Sequence, residues 1–155
     1  VDVAPLQGSR IPVQAGAGRW MDRALDVFSA GSVLVIDYVS TTAALAARPP
    51  GEWIRTYRDH QRAGPAASAP GAQDVTVEVA VDQLPPGADT TTQAAFLRDN
   101  GIDDLVADGR RHWAERAGFG DLEALRARSR ITEAEALLDP DGLGGFTVLE
   151  WRVGS

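Results

Sequence analysis

The sequence predicts an α/β protein, a mixed sheet flanked by helices, and three observations carry that expectation. Val33-Leu34-Val35-Ile36 is an unbroken apolar run of strand length, the pattern of a strand covered on both faces in the interior of a parallel sheet. Val75, Val77, Val79 and Val81 recur at every second position, which is the strand period. Elsewhere apolar residues return every three to four positions, which is the helical period.

In chain order, "GRWMDRALDVFSAG" reads as a helix whose apolar side is Trp20, Met21, Ala24, Leu25, Val27 and Phe28, with Gly31 as its stop. The preceding "QAGAGRW" contains Gly16-Ala17-Gly18, but no strand leads into it, so it reads as a helix entry rather than a phosphate loop. The strand Val33–Ile36 follows, and burying its side chains stabilises by about 1.5–3 kcal/mol each before entropy is counted. "STTAALAARPPGEW" reads as a loop with one helical turn, ended by Pro49 and Pro50. "WIRTYRDH" suits a short strand with Trp53, Arg55 and Tyr57 on one face. "QRAGPAASAPGAQ" is small, polar and proline-bearing, a flexible loop of the kind that forms a lid or site wall.

"DVTVEVAVDQL" is a strand by alternation, although "VAVDQL" also suits the start of a short helix. "DTTTQAAFLRDNGI" is a helix with capping hydroxyls at Thr90–Thr92, an apolar face at Phe96 and Leu97, and a stop at Gly101. The following stretch is helical, broken near Gly118 and Gly120, and Asp139-Pro140-Asp141-Gly142 makes a turn. "FTVLEWRV" closes the chain as an alternating strand, with Phe146, Val148 and Glu150 on one face and Thr147, Leu149 and Trp151 on the other.

Composition excludes several functions. With 155 residues, 44% of them apolar and 24% charged, the chain suits one soluble domain. No run approaches the roughly 18 apolar residues of a membrane span, and no secretory leader is evident, so a cytoplasmic protein is expected. Cysteine is absent, which removes disulfides, thiolate metal sites and a cysteine nucleophile. Two histidines, His60 and His112, are too few for a histidine-rich metal centre. A net charge of −7 argues against a nucleic-acid binder. All 15 basic residues are arginine, which fits codon bias in a GC-rich bacterial genome and excludes Schiff-base chemistry and a Walker-type phosphate loop.

Five segments, "LVIDYV", "IRTYRDH", "PGAQDVTVEV", "TQAAFLRDNGI" and "LLDPDGLGGFTVL", stand in an order and spacing that resembles the carboxyl-terminal half of the MidA-type S-adenosylmethionine-dependent methyltransferases. The likeness runs over residues 10–153. Departures are Val39 where the family has glycine after Asp-Tyr, Leu143 where it has methionine, and Val81 in place of an aromatic. The family's glycine-rich cofactor loop and the acidic residue that holds the ribose have no counterpart. The resemblance therefore implies half of a class I, Rossmann-like fold, with S-adenosylmethionine as cofactor, no cofactor-binding residue assignable here, and the cofactor half absent. The chain begins at Val1, not methionine, which fits a fragment or one half of a split protein.

Open α/β sheets bind ligands beyond the carboxyl ends of their strands, where Asp37 and Tyr38 fall. With the resemblance, Asp37, His60 and Asp74 become the catalytic candidates, and Tyr38, Arg55, Tyr57 and Thr76 the substrate-binding ones. A carboxylate can hold a nitrogen nucleophile or accept its proton, and a histidine can act as a base near neutral pH. The plainer alternatives are that Asp37 caps a turn while Tyr38 packs on a helix, that His60 lies on the surface, and that Asp74 and Thr76 tie down the loop. Gln93 begins a helix, and His112 sits mid-helix beside Trp113. The implied partner is a protein substrate with a side chain such as arginine. The other possibility is a non-catalytic interaction module, expected to be a homo-oligomer because of an uncovered sheet edge. A hydrolase built on Asp37, His60 and Asp74 lacks a nucleophile motif such as G-x-S-x-G.

Overall fold

The computed structural model describes residue 5 and residues 7–154. The elements are, in order, α1 (Ala15–Asp26), β1 (Gly31–Asp37), β2 (Val39–Ser40), α2 (Thr42–Ala46), α3 (Pro50–Trp53), β3 (Ile54–Arg58), β4 (Gln61–Arg62), β5 (Asp74–Val77), β6 (Val79–Ala80), β7 (Asp89–Thr92), α4 (Gln93–Asp99), α5 (Ile102–Arg116), α6 (Leu122–Leu138) and β8 (Thr147–Val153). Short 3-10 turns lie at Val81–Gln83, Ala117–Phe119 and Leu143–Gly145. Strands and helices mix as the hydrophobic pattern predicts, but the strands fall into three small sheets, ordered β1-β8-β7, β2-β6 and β4-β3-β5. The chain divides into two compact units, one of Val1–Val33, Asp37–Ala88 and Trp151–Ser155, the other of Leu34–Ile36 and Asp89–Glu150.

The first unit is centred on Leu45, Trp53 and Ala80, which are 0%, 1% and 0% exposed, with Ile54 and Val77 packed against them. Pro50 occupies the first turn of α3, where its missing N–H costs nothing, so it opens a helix instead of only ending one. Trp53 closes that helix and turns into the core. It therefore does not share a strand face with Arg55 and Tyr57, because β3 starts one residue later. Thr41 caps α2, its hydroxyl accepting the Ala44 N–H.

The alternating valines do not make one strand. β5 pairs antiparallel with β3, Glu78 interrupts, and β6 pairs parallel with β2. Val81 then enters the 3-10 turn, so the helical start suited by "VAVDQL" is what forms. Glu78 pairs by its side chain with Arg48, whose Nη2 lies 2.5 Å from Glu78 Oε2. The Glu78 hydrogen bond is the main reason the Arg48 guanidinium holds its proton more tightly than usual.

Two expectations for the amino-terminal region are corrected. α1 starts at Ala15 and stops at Asp26, and Met21 is its buried residue, while Trp20 (57%), Val27 (77%) and Phe28 (46%) are exposed. Gly31 begins β1 at φ 140 and is not the helix stop. Within β1, Leu34 and Ile36 are each 45% exposed, so the run is covered on one side only. An apolar run shows strand length but does not say which of its two faces another element covers.

"QRAGPAASAPGAQ" is more ordered than a flexible lid. Thr56 Oγ1 donates to the carbonyls of Ala63 and Gly64, Arg58 Nε donates to Ala72 O, and Gln73 Nε2 donates to Pro65 O and Ala66 O.

In the second unit, β7 pairs antiparallel with β8 from Asp89↔Glu150 to Thr92↔Thr147. Thr90 and Thr91 therefore serve the strand, and Thr92 alone caps α4, accepting the Ala95 N–H. Gly101, at φ 89, ends α4 as expected. α5 and α6 pack closely at Gly109, where a Cβ would sit 3.1 Å from Ala127 O. Val148 and Leu149, adjacent on β8, are both fully buried, so this strand is covered on both faces.

Two of the family-like segments meet here. Gln93, 7% exposed, donates from Nε2 to Leu137 O at 3.3 Å, and its N–H reaches Phe146 O. Gly144 is required by contact, since a Cβ there would lie 2.5 Å from Leu138 C. "TQAAFL" and "LLDPDGLGGF" are thus two sides of one packed joint.

Candidate functional site

β3 and β5 form a ribbon whose two faces differ. In an antiparallel pair, residues directly opposite each other project from the same face. The register pairs Arg55 with Thr76 and Tyr57 with Asp74, so those four side chains share one face, while Ile54, Thr56, Val75 and Val77 share the other. Ile54 and Val77 pack on the core, which leaves the first face outward.

Tyr38 joins that face from beyond the end of β1. Arg55 Cζ lies 4.7 Å from the centroid of the Tyr38 ring, a cation–π stack worth about 0.5–1 kcal/mol at an exposed position. The Tyr38 carbonyl accepts the Val79 N–H at 2.8 Å, which fixes its backbone. Asp37 is adjacent, and its Oδ1 accepts the Tyr38 N–H at 2.7 Å, so one carboxylate oxygen braces the turn. Thr76 Oγ1 donates weakly to Arg55 O at 3.4 Å. Thr76 therefore also ties down the ribbon.

His60 is placed differently. It forms with Asp59 the two-residue link between β3 and β4, where Arg58 faces Gln61, and both link residues have positive φ, 50 and 62. Two positive φ values in a two-residue link suit the right-handed twist of a hairpin. Asp and His tolerate this region better than most residues. His60 thus stands at an exposed hairpin tip. His112 lies within α5, its Nδ1 3.2 Å from Asp108 Oδ2, and Gln93 begins α4.

One member of the face was missed by sequence. Arg62 on β4 faces Tyr57, and its Cζ lies 5.3 Å from the Tyr57 ring centroid. Recognising Asp59-His60 as a two-residue hairpin link would have revealed that pairing. Ile54, Thr56, Arg62, Pro65 and Ala66 line an open cavity of about 560 Å³ that Arg10 also reaches.

The supports beneath the site are polar. Gln14 donates from Nε2 to Glu78 O and accepts the Ala80 N–H at Oε1, both at 2.8 Å, so its amide completes the backbone of the strand that carries on from β5. Asp82 Oδ1 accepts the Thr42 N–H at 2.8 Å. Burial pushes the Asp82 carboxyl up, but the Thr42 hydrogen bonds outweigh it and hold the group below its ordinary value.

The Gly16-Ala17-Gly18 stretch is helical and forms no phosphate loop. Gly16 and Gly18 lie inside α1, and a Cβ on Gly18 would meet Gln83 O at 2.9 Å, so that glycine is filled by protein backbone. Among the described residues no cluster of three or more His, Asp or Glu could hold a metal, and no helix is long and apolar enough to cross a membrane.

Comparison with known proteins places this architecture. The model of the family described as "Putative S-adenosyl-L-methionine-dependent methyltransferase" matches residues 2–98, well over half of the chain. No curated protein matches the sequence. Two solved structures of one superfamily, both from Burkholderia thailandensis, are similar in fold. One is an uncharacterized protein, with TM-score 0.63, 22% identity and 89% of this chain covered. The other is bound to S-adenosyl-homocysteine, with TM-score 0.65, 23% identity and 92% covered. The chain spans 37% of the length of each.

Proposed function

Because the chain belongs to the S-adenosyl-L-methionine-dependent methyltransferase family, we propose that it forms the substrate side of such an enzyme, acting on a protein side chain such as an arginine guanidinium. The supporting observation is the convergence of Tyr38, Arg55, Tyr57, Asp74 and Thr76 on one outward face. The cofactor would then be held by further polypeptide of the whole protein, a reading supported by the length of the relative bound to S-adenosyl-homocysteine, of which this chain covers 37%.

A nitrogen that gains a methyl group must lose a proton, and the rate depends on holding that nitrogen in line and out of water. Asp74, beside Tyr57, can hold a planar cation at the ring edge and take its proton. The free oxygen of Asp37 can do the same at the end of β1. Tyr38 and Tyr57 offer flat faces of the kind guanidinium groups stack on, as Arg55 and Arg62 already do. His60, at the hairpin tip, has no part in this scheme.

Titration calorimetry with S-adenosylmethionine, run on this chain and on a longer polypeptide spanning the length of the solved relatives, tests the proposal. Cofactor binding by the longer protein, with labelled methyl passed to a protein acceptor, supports it. Cofactor binding without any methylated protein overturns it.

The exposed Trp20, Val27 and Phe28 favour a second possibility, an interaction module that pairs with another copy of itself. A solution mass of twice 16.4 kDa, lost in Trp20→Ser, would support that.

A further inference from the structure

Arg55 and Arg62 rest on tyrosine rings and not against acids. Among the described residues neither makes an ion pair, whereas Arg48, Arg111, Arg116 and Arg130 each do. A guanidinium held over a ring face by its charge keeps its planar edge of N–H donors. That edge is a fork matched to a carboxylate.

The backbone positions of the two arginines are set by the hairpin. Arg62 stands opposite Tyr57, and Arg55 lies two residues before Tyr57 on the same face. They are therefore diagonal neighbours, roughly 7–8 Å apart at the backbone. Carboxylates on alternate residues of an extended peptide project to one side about 6.8 Å apart. The backbone spacing of the two arginines is thus close to that of the two carboxylates.

We propose that this face binds an extended acidic peptide segment through carboxylates at alternate positions, one on Arg55 and one on Arg62. The proposal rests on the ribbon being the substrate face, and it adds that the protein substrate carries such acids beside its acceptor side chain. Asp74 and Asp59 on the same ribbon, with the net charge of −7, repel a continuous run of phosphates but leave room for two isolated carboxylates.

Fluorescence anisotropy with labelled five-residue peptides tests this without any cofactor. The probes carry glutamates at alternate positions, glutamates at adjacent positions, or glutamines at alternate positions, beside a single-stranded oligothymidylate of equal length. The alternate-glutamate peptide should bind at least about threefold tighter than the adjacent one, with the gap shrinking at about 0.5 M salt. Arg55→Gln and Arg62→Gln should each remove that preference, while Arg111→Gln on α5 should keep it. Arg55→Lys and Arg62→Lys retain charge but lose the fork, and they should also lose the preference while the melting temperature holds.

Equal binding of glutamate and glutamine peptides would overturn the proposal, as would a preference that survives both glutamine variants. Oligothymidylate binding as tight as the peptide would overturn it too, in favour of a general anion surface. Peptide binding that stands while methyl transfer fails would remove the methyltransferase proposal and leave this one. The reverse result would remove this one alone.

Discussion

Gln14 and Gln83 hold each other across 69 residues of sequence: the Gln14 N–H donates to Gln83 Oε1 at 2.7 Å. The Gln83 Nε2 group then bonds Pro12 O and Thr42 Oγ1, each at 2.9 Å, while the Gln14 side chain serves Glu78 and Ala80. Two neutral amides thereby anchor the start of α1, the start of α2 and the strand leading from the candidate site.

Gln14→Ala leaves the N–H of Ala80, a fully buried residue, without its partner. A buried donor left unpaired costs about 1–3 kcal/mol. Urea unfolding should show a loss of that size, and the double variant with Gln83→Ala should lose less than the sum of the singles because the two share one network.

The hairpin tip makes the opposite prediction. Asp59 and His60 sit at φ 50 and 62, and Asn-Gly is the pair that suits two positive φ values best. Asp59→Asn with His60→Gly should raise the melting temperature, because relief of roughly 1–2 kcal/mol of left-handed strain outweighs the roughly 0.5–1 kcal/mol that the extra freedom of glycine costs. Methyl transfer by a longer protein carrying the pair should be unchanged, whereas a large loss would return His60 to the reaction.

Asp121 gives a pH signature. It caps α6 by accepting the Ala124 N–H at 2.9 Å, and Arg116 Nη2 lies 2.5 Å from its Oδ2. The Arg116 hydrogen bond comes first, and the cap second, in holding this carboxyl below its ordinary value of 3.8. The pair's stabilising effect is then fully present above pH 3.8 and is lost as pH falls through the lower folded-state value. Asp121→Asn keeps a capping oxygen but not the charge, so its stability should depend less on pH below 3.8 than the wild type's. Acid titration followed by circular dichroism measures the difference.

Asp74→Asn keeps the shape of the ribbon and removes a carboxylate from its outward face. In a longer protein that carries out transfer, kcat should fall by about 10²-fold or more, the scale of a lost proton acceptor. Asp37→Asn, in which the amide oxygen still accepts the Tyr38 N–H, separates turn bracing from chemistry at the second candidate. A rate unchanged in both variants would clear the carboxylates of any role.

Much of the face was legible because it obeys a local rule. Arg55 and Tyr57, like Asp74 and Thr76, are two apart, and an alternating segment must put such pairs on one side. That the two segments pair with each other is a non-local fact, supplied by the register. The Gln14–Gln83 network left no trace in sequence, since an isolated glutamine has no periodicity and the partners of Gln14 are more than 60 residues away. The break at Glu78 was hidden for a related reason: Val77 and Val79 continue the alternation, and only Arg48 reveals that the residue between them belongs to an ion pair. At Leu34 and Ile36 hydrophobicity was correctly read but coverage was not, because coverage depends on which neighbours arrive.

The tethers on residues 63–73 bear on how this chain would meet a protease. A proline- and alanine-rich surface stretch is an ordinary nicking site, since an exposed loop of small residues extends readily into the enzyme's groove. Here Thr56 grips the beginning of the stretch, Gln73 reaches back to Pro65 and Ala66, and Arg58 holds Ala72. Extending the segment would mean releasing all three side chains together, so digestion there should proceed only as fast as the hairpin itself opens.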